Sequence, residues 1–155
     1  MKKVGKILLL VVVVLVGLVL IFAISNRISP LAFGHKQVNH TMFSDEAING
    51  YDAVAYFTER KAVKGTEDHT HVWRDASWNF SSLENKELFM ANPEKYAPQY
   101  GGYCVFAASQ GFTANPEPDS FEIIDGKLYL FAGEEVKTEW LAHLEENIKA
   151  ADKNW

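Results

Sequence analysis

The 155-residue chain carries 15 Lys and Arg against 20 Asp and Glu, a formal net charge of −5. From Ile28 onward the balance is 11 against 20, a charge of −9, which argues against nucleic acid and anionic lipid surfaces as partners, because both are held by cationic contacts. Cys104 is the single cysteine, so an intramolecular disulfide is ruled out.

The first element is Ile7 to Ile24, eighteen residues without a charge. As a helix this run is roughly 27 Å long, close to the hydrocarbon thickness of a bilayer. A helix that is apolar on every side has little use in a soluble domain. Gly17 is tolerated, since no competing structure satisfies the backbone inside lipid. A cleaved signal peptide is the rival reading, with Lys2, Lys3 and Lys6 as its basic front and Ala23-Ile24-Ser25 as the cleavage site. The run exceeds the 7–15 residues of a signal h-region, which favours an uncleaved anchor. Three lysines precede the span, and only Arg27 follows closely. The positive-inside bias puts residues 1–6 in the cytoplasm and the rest outside it. The expected location is a bacterial-type inner membrane, crossed once by residues 7–24, with the C-terminal domain extracytoplasmic or periplasmic.

Residues 25–44 mix Ser, Asn, Pro and Gly with scattered apolar residues and read as a linker packing partly on the domain, with His35 and His40 exposed. The folded domain is expected over 45–155. It holds 15 of the 20 aromatic residues between Tyr51 and Phe131, enough area for one core without staples.

The pattern within the domain predicts an α+β fold of antiparallel strands and helices. Asp52 caps a short helical turn through Phe57. His69–Arg74 and Ser77–Phe80 read as strands around a turn at Asp75-Ala76. Ser81-Ser82-Leu83-Glu84 reads as a capping box, with a helix running to about Ala91 and burying Leu88 and Phe89. Asn92-Pro93 ends it, before a short turn over Glu94–Ala97. Gly101-Gly102 gives a flexible backbone before Tyr103-Cys104-Val105-Phe106. Phe121–Ile124 and Lys127–Leu130 form a hairpin with Asp125-Gly126 at the turn. One amphipathic helix is expected over Glu134–Ala150, with Val136, Trp140, Leu144 and Ile148 as its buried stripe.

Several of these strings belong together. Gly50-Tyr51-Asp52-Ala53-Val54-Ala55-Tyr56-Phe57, Trp78-Asn79-Phe80-Ser81-Ser82 and the run from Asn92 to Cys104 (NPEKYAPQYGGYC) resemble a YHS-domain protein. Asp125–Leu130 and Asn147–Trp155 are similar to the tail of an exported, membrane-anchored subgroup. The resemblance covers roughly 45–155 and implies a YHS-like α+β domain. Other YHS modules resemble small treble-clef metal sites whose helix opens Phe-Cys-Ser-x-x-Cys-x-x-x-Phe. Here Phe80 and Phe89 match the framing aromatics, but Ser81 and Asn85 replace both cysteines, and no upstream cysteine pair exists. A hydroxyl and a neutral amide are poor ligands for soft metals. Ser81 fits instead as a helix cap.

Among the remaining groups, Asp68-His69-Thr70-His71 suits a metal best. On a strand His69 and His71 point to one face, about 6–7 Å apart, together with Trp73. With Cys104 folded over that sheet, two His and one Cys suit Cu or Zn. The plain alternative is an edge strand with two solvated histidines. Cys104 itself reads as a buried thiol, a reactive or metal-binding thiolate, or half of an intermolecular disulfide. His143 and the Glu134-Glu135 and Glu145-Glu146 pairs read as solvated helix residues. Tyr51/Asp52 and Tyr100/Tyr103 either line a small pocket or fix loops by hydrogen bonds. No phosphate loop, dinucleotide fingerprint or Ser-His-Asp motif occurs. Three function readings follow: a tethered binding module for a transition metal, a small ligand or a membrane-protein partner; a thiol-dependent redox protein or enzyme using Cys104; and a structural interaction domain.

Overall fold

The computed structural model describes residues 2–25, 29–31, 34–40 and 44–155. Helix α1, Lys2–Ser25, contains the apolar run, whose large hydrophobic side chains from Ile7 to Ile24 are exposed; by length and composition Gly5–Ile24 can cross a membrane. Three short antiparallel sheets and further helices follow, a mixed α+β arrangement.

Segment 25–44, expected as a linker, is woven into the domain where it is described. Strand β1, Ser29–Pro30, pairs antiparallel with β4, Phe112–Thr113. The Leu31 N–H bonds Gly111 O at 2.9 Å. Val38 belongs to the main core. Asn39 ties the segment to two loops: its N–H donates to Gly101 O at 2.7 Å, and its O accepts from Ile48 N–H at 2.9 Å. His40, expected to be exposed, is only 7% accessible and bridges to Ala47. Alternate burial of Leu31 and Val38 among polar residues carries no periodic signal, so composition alone reads as a linker.

Helix α2, Ala55–Thr58, is opened by Asp52, whose Oδ1 accepts the Val54 and Ala55 N–H groups at 2.9 and 3.2 Å. The first hairpin joins β2, Thr66–Trp73, to β3, Ala76–Phe80. Its turn is Arg74-Asp75, one residue earlier than the sequence suggests. Both residues have positive φ (50° and 57°), the geometry that matches the strand twist in a two-residue hairpin. The register slips between Thr66 and Thr70.

Helix α3, Leu83–Ala91, starts one residue later than the proposed capping box. Its cap is Ser82, which accepts from Asn85 N–H at 3.1 Å. Phe89 is fully buried against Trp73, Trp78 and Phe80, with ring centroids 4.9–5.7 Å apart. Leu88, predicted beside it, is 36% exposed. Asn92 caps the one-turn helix α4, Pro93–Tyr96. A left-handed stretch then covers Tyr100, Gly101 and Gly102 (φ 50°, 61° and 79°). This stretch is fixed rather than flexible, since a Cβ on Gly101 would overlap the Gln37 carbonyl.

Helix α5, Val105–Ser109, leads to β4 and to the second hairpin, β5 (Glu117–Ile124) with β6 (Lys127–Phe131), which turns at Asp125-Gly126 as its sequence indicates. Strand β6 is central. Leu128 and Leu130 face the core built on Trp78, Phe80 and Phe89, whereas Tyr129 and Phe131 face a second core with Val105 and Trp140. Successive side chains thus serve opposite cores, as strand geometry requires.

The expected single C-terminal helix is two: α6, Glu134–Ala142, and α7, Leu144–Asn154, broken at His143 (φ −131°, ψ 44°). The carbonyl of Trp140 accepts both the His143 N–H and the Asn147 side-chain amide, which replaces continuous helical bonding there. Of the predicted stripe only Trp140 is fully buried, joined by Ala151 of α7. Asn154 then caps the Ala108 and Ser109 carbonyls at the end of α5.

Candidate functional site

The candidate metal ligands do not come together. His69 lies in the irregular part of β2, between Thr66 and Thr70. His71 is partly buried and packs edge-on toward Phe89, centroids 6.4 Å apart. Cys104 is tied to a different hairpin: it bridges to Leu130, and its Sγ accepts from Ala132 N–H at 3.3 Å. Burial pushes the Cys104 thiol above its ordinary value of 9.0, and nearby backbone N–H groups offset this only in part. Among the described residues, no group of three or more His, Cys, Asp or Glu side chains is placed to hold a metal ion.

Ser81 and Asn85, which stand where the resemblance implies cysteines, meet at a carboxylate. Asp52 is fully buried. Its Oδ2 accepts Ser81 N–H at 2.8 Å, Ser81 Oγ–H at 2.7 Å and the Asn85 amide at 2.7 Å. With the two bonds at Oδ1, five donors close on one side chain. A buried carboxylate so satisfied is a structural knot joining the α2 turn to the start of α3, with no accepting capacity to spare.

The feature that invites a ligand is a cleft of about 700 Å³, within the range of small-molecule sites. It is open to solvent and lies between two walls. On one wall the Arg74 guanidinium stacks 4.4 Å over the Trp73 ring and pairs with Glu94 at 2.7 Å. The turn that places Arg74 is the left-handed Arg74-Asp75 pair. On the other wall Trp155 packs with His35, Tyr100 and Tyr103, at centroid distances of 4.0, 5.9 and 5.9 Å. Tyr100 Oη donates to Asp152 Oδ1 at 2.9 Å. Burial, then that carboxylate, hold the Tyr100 phenol far above its ordinary pKa, so it stays a donor. Burial lowers the His35 imidazole below 6.5, leaving the neutral ring. Gln37 and Gln99 add two amides to the lining.

From sequence, Tyr100 and Tyr103 either line a small pocket or fix loops by hydrogen bonds; Tyr100 lines this cleft and also bonds Asp152. Sequence reasoning missed His35, Trp73, Arg74 and Trp155, which lie far apart in sequence. Trp155 is the strongest clue in retrospect, a terminal indole left 38% exposed. The backbone at the site is unusual as well. Tyr100 is a bulky residue in the left-handed region, a conformation that persists only when its surroundings enforce it. Here Asn39 supplies that enforcement by bonding Gly101 O and Gly102 O.

No family model, curated protein or solved structure matches the chain.

Proposed function

We propose that this protein is a membrane-tethered, extracytoplasmic YHS-like binding module that holds a small ligand in the cleft between the Trp73–Arg74–Glu94 wall and the Trp155–Tyr100–Asp152 wall. The cleft carries this reading. It combines small-molecule volume, aromatic rings and convergent polar groups. The conformation of Tyr100 supports it, since strained residues cluster where ligands are clamped.

The tether supports the membrane part. Helix α1 ends at Ser25 and β1 begins at Ser29. Four residues reach at most about 14 Å, so a spanning α1 keeps β1 and β4 close to the membrane surface. With the lysines on the cytoplasmic side, the domain lies on the opposite face.

Small-ligand binding is favoured over the other versions. A Cu or Zn site from His69, His71 and Cys104 needs three side chains together, whereas His71 packs on Phe89, Cys104 Sγ accepts from Ala132 N–H, and no such group occurs among the described residues. A redox or nucleophilic role for Cys104 needs an accessible thiolate, whereas this thiol is buried with a raised pKa.

The test uses the purified full chain in lipid nanodiscs, combining elemental analysis with a small-molecule thermal-shift screen. The expected result is a metal-free protein whose melting temperature rises with a subset of ligands, the rise being lost in Trp155→Ala. Near-stoichiometric Cu or Zn that disappears in His69→Ala and His71→Ala would replace this reading with the metal one. In intact cells, Asp125→Cys, in an exposed turn, should react with a membrane-impermeant maleimide added outside. Labelling only after lysis would overturn the orientation.

A further inference from the structure

We propose that the ligand of this cleft is a neutral saccharide, stacked on Trp155 and hydrogen-bonded by Asp152, Gln37 and Gln99. The proposal rests on the cleft being a ligand site, as argued above, and goes on to name what it takes.

Charge limits the choice first. Among the described lining residues Arg74 is the one full positive charge, and it is paired with Glu94 at 2.7 Å. Asp152 adds an uncompensated carboxylate, and the domain around the cleft is acidic. Phosphates and carboxylates have no free cationic partner here and meet repulsion.

Cationic ligands find no open aromatic cage. A cation needs an open ring face within about 6 Å. The Arg74 guanidinium already covers Trp73. Behind Trp73 lie Trp78 and Phe89, at centroid distances of 5.7 Å each. Trp155 has His35 against it at 4.0 Å, with the edges of Tyr100 and Tyr103 nearby. These contacts hold the indole in place, and 38% of the residue remains accessible. What remains is one partly accessible aromatic residue rather than a cage.

A pyranose suits that remainder. Its C–H face is apolar and flat enough to lie on an indole. Its hydroxyls each donate and accept. The amides of Gln37 and Gln99 do the same, and Asp152 keeps acceptor capacity beyond its bond to Tyr100. The site is also prearranged, which lowers the ordering cost of binding a weakly held ligand. Tyr100 is locked by its left-handed backbone and its bond to Asp152, and Gly101 is pinned against Gln37.

The experiment uses the full chain in lipid nanodiscs. The probes are cellobiose, maltose and N,N′-diacetylchitobiose, with tetramethylammonium and inorganic phosphate as comparisons. Saturation-transfer NMR on the sugar C–H protons and tryptophan fluorescence report binding. At least one disaccharide should bind, with transfer strongest at one face of a ring. Trp155→Ala should weaken it by at least about tenfold, a typical loss for an aromatic anchor, while Trp155→Phe keeps most of the affinity. Asp152→Asn retains an acceptor for Tyr100 and should weaken binding less than Trp155→Ala. Binding of tetramethylammonium or phosphate without any sugar, lost in Trp155→Ala, would overturn the saccharide assignment and leave the cleft as a ligand site. Sugar binding unchanged in Trp155→Ala would place the sugar elsewhere and overturn the proposal. No binding by any probe, joined to an empty thermal-shift screen, would remove both readings together.

Discussion

Removal of the Asp52 carboxylate tests the structural argument most directly. Asp52→Ala leaves five donors without their acceptor: Val54 N–H, Ala55 N–H, Ser81 N–H, Ser81 Oγ–H and the Asn85 amide. A buried donor left unsatisfied costs about 1–3 kcal/mol. The Ser81 hydroxyl can rotate to another acceptor, and Ser81 itself is only partly buried, so two of the five are discounted. The remaining three give a loss of at least about 3 kcal/mol, a large share of the 5–15 kcal/mol typical of a domain. For a domain of this size that lowers the melting temperature by roughly 12 °C or more. Asp52→Asn is the informative companion. Its amide oxygen can replace Oδ1, the Ser81 hydroxyl can turn to accept, and a flipped Asn85 amide can present its oxygen. Only the partly buried Ser81 N–H is then stranded, and the loss should be about 1 kcal/mol or less. Thermal unfolding of the full chain in detergent, followed by tryptophan fluorescence, measures both. A loss below about 1 kcal/mol for Asp52→Ala, or equal losses for the two variants, would refute the knot.

Three further outcomes are expected. Burial lowers the His35 pKa, so the unfolded chain binds the proton more readily; this contribution to stability is full above pH 6.5 and is lost as pH falls through 6.5 toward the folded value. NMR titration of the imidazole should give a midpoint below 6.5, and His35→Phe should flatten the melting temperature between pH 5 and 7; an unshifted midpoint would refute the burial. Cys104 should resist iodoacetamide at neutral pH in the folded protein and react on unfolding, because burial raises its thiol pKa; rapid labelling of the native chain, read by mass spectrometry, would revive the thiol reading. Gly101→Ala must place a Cβ against the Gln37 carbonyl at a positive φ, so it should destabilise by about 2 kcal/mol or more and disturb Trp155 fluorescence; an unchanged melt and spectrum would show that the loop yields.

Elements set by local chemistry were legible. Asp125-Gly126 names its turn because both central positions need positive φ, and Asp-Gly satisfies that cheaply. Asn92-Pro93 names the end of α3 and the start of α4 for similar reasons. Where two local solutions are nearly equal, sequence reasoning slipped by one. Ser81 and Ser82 can each cap a helix, and the choice was made at long range, by Asp52 taking the Ser81 hydroxyl. The periodic stripe from Val136 to Ile148 concealed the break at His143, because Leu144 and Ile148 of α7 still pack on the core that buries Trp140. Segment 25–44, expected to pack partly on the domain, is hard to place from sequence for the opposite reason. Where it is described, much of its anchorage is backbone pairing to Gly101, Ile48, Gly111 and β4, and backbone pairing leaves no mark on side-chain periodicity.

The same distinction explains why the metal reading arose and the cleft did not. His69 and His71 are neighbours in sequence, and ideal strand alternation puts them on one face. That inference assumes an unbroken register, and the register breaks between Thr66 and Thr70, within one residue of His69. Cys104 was added by supposing that the Gly101-Gly102 loop reaches over β2. Both glycines instead serve the left-handed turn that Asn39 clamps, and this delivers Cys104 to β6. The cleft depends on that clamp as well. By holding Gly101 and Gly102, Asn39 places Tyr100 against Asp152 and Trp155, from the far end of the chain. Asp52 has a parallel role at Ser81 and Asn85, where convergent side chains close on a carboxylate that is fully spent on its own donors. Polar convergence is therefore not by itself a sign of a site. What separates the two places is unsatisfied capacity: the Asp52 knot is buried and complete, whereas the cleft is lined by a partly accessible Trp155, by Gln37 and Gln99, and by Asp152, whose carboxylate has acceptor capacity beyond its bond to Tyr100.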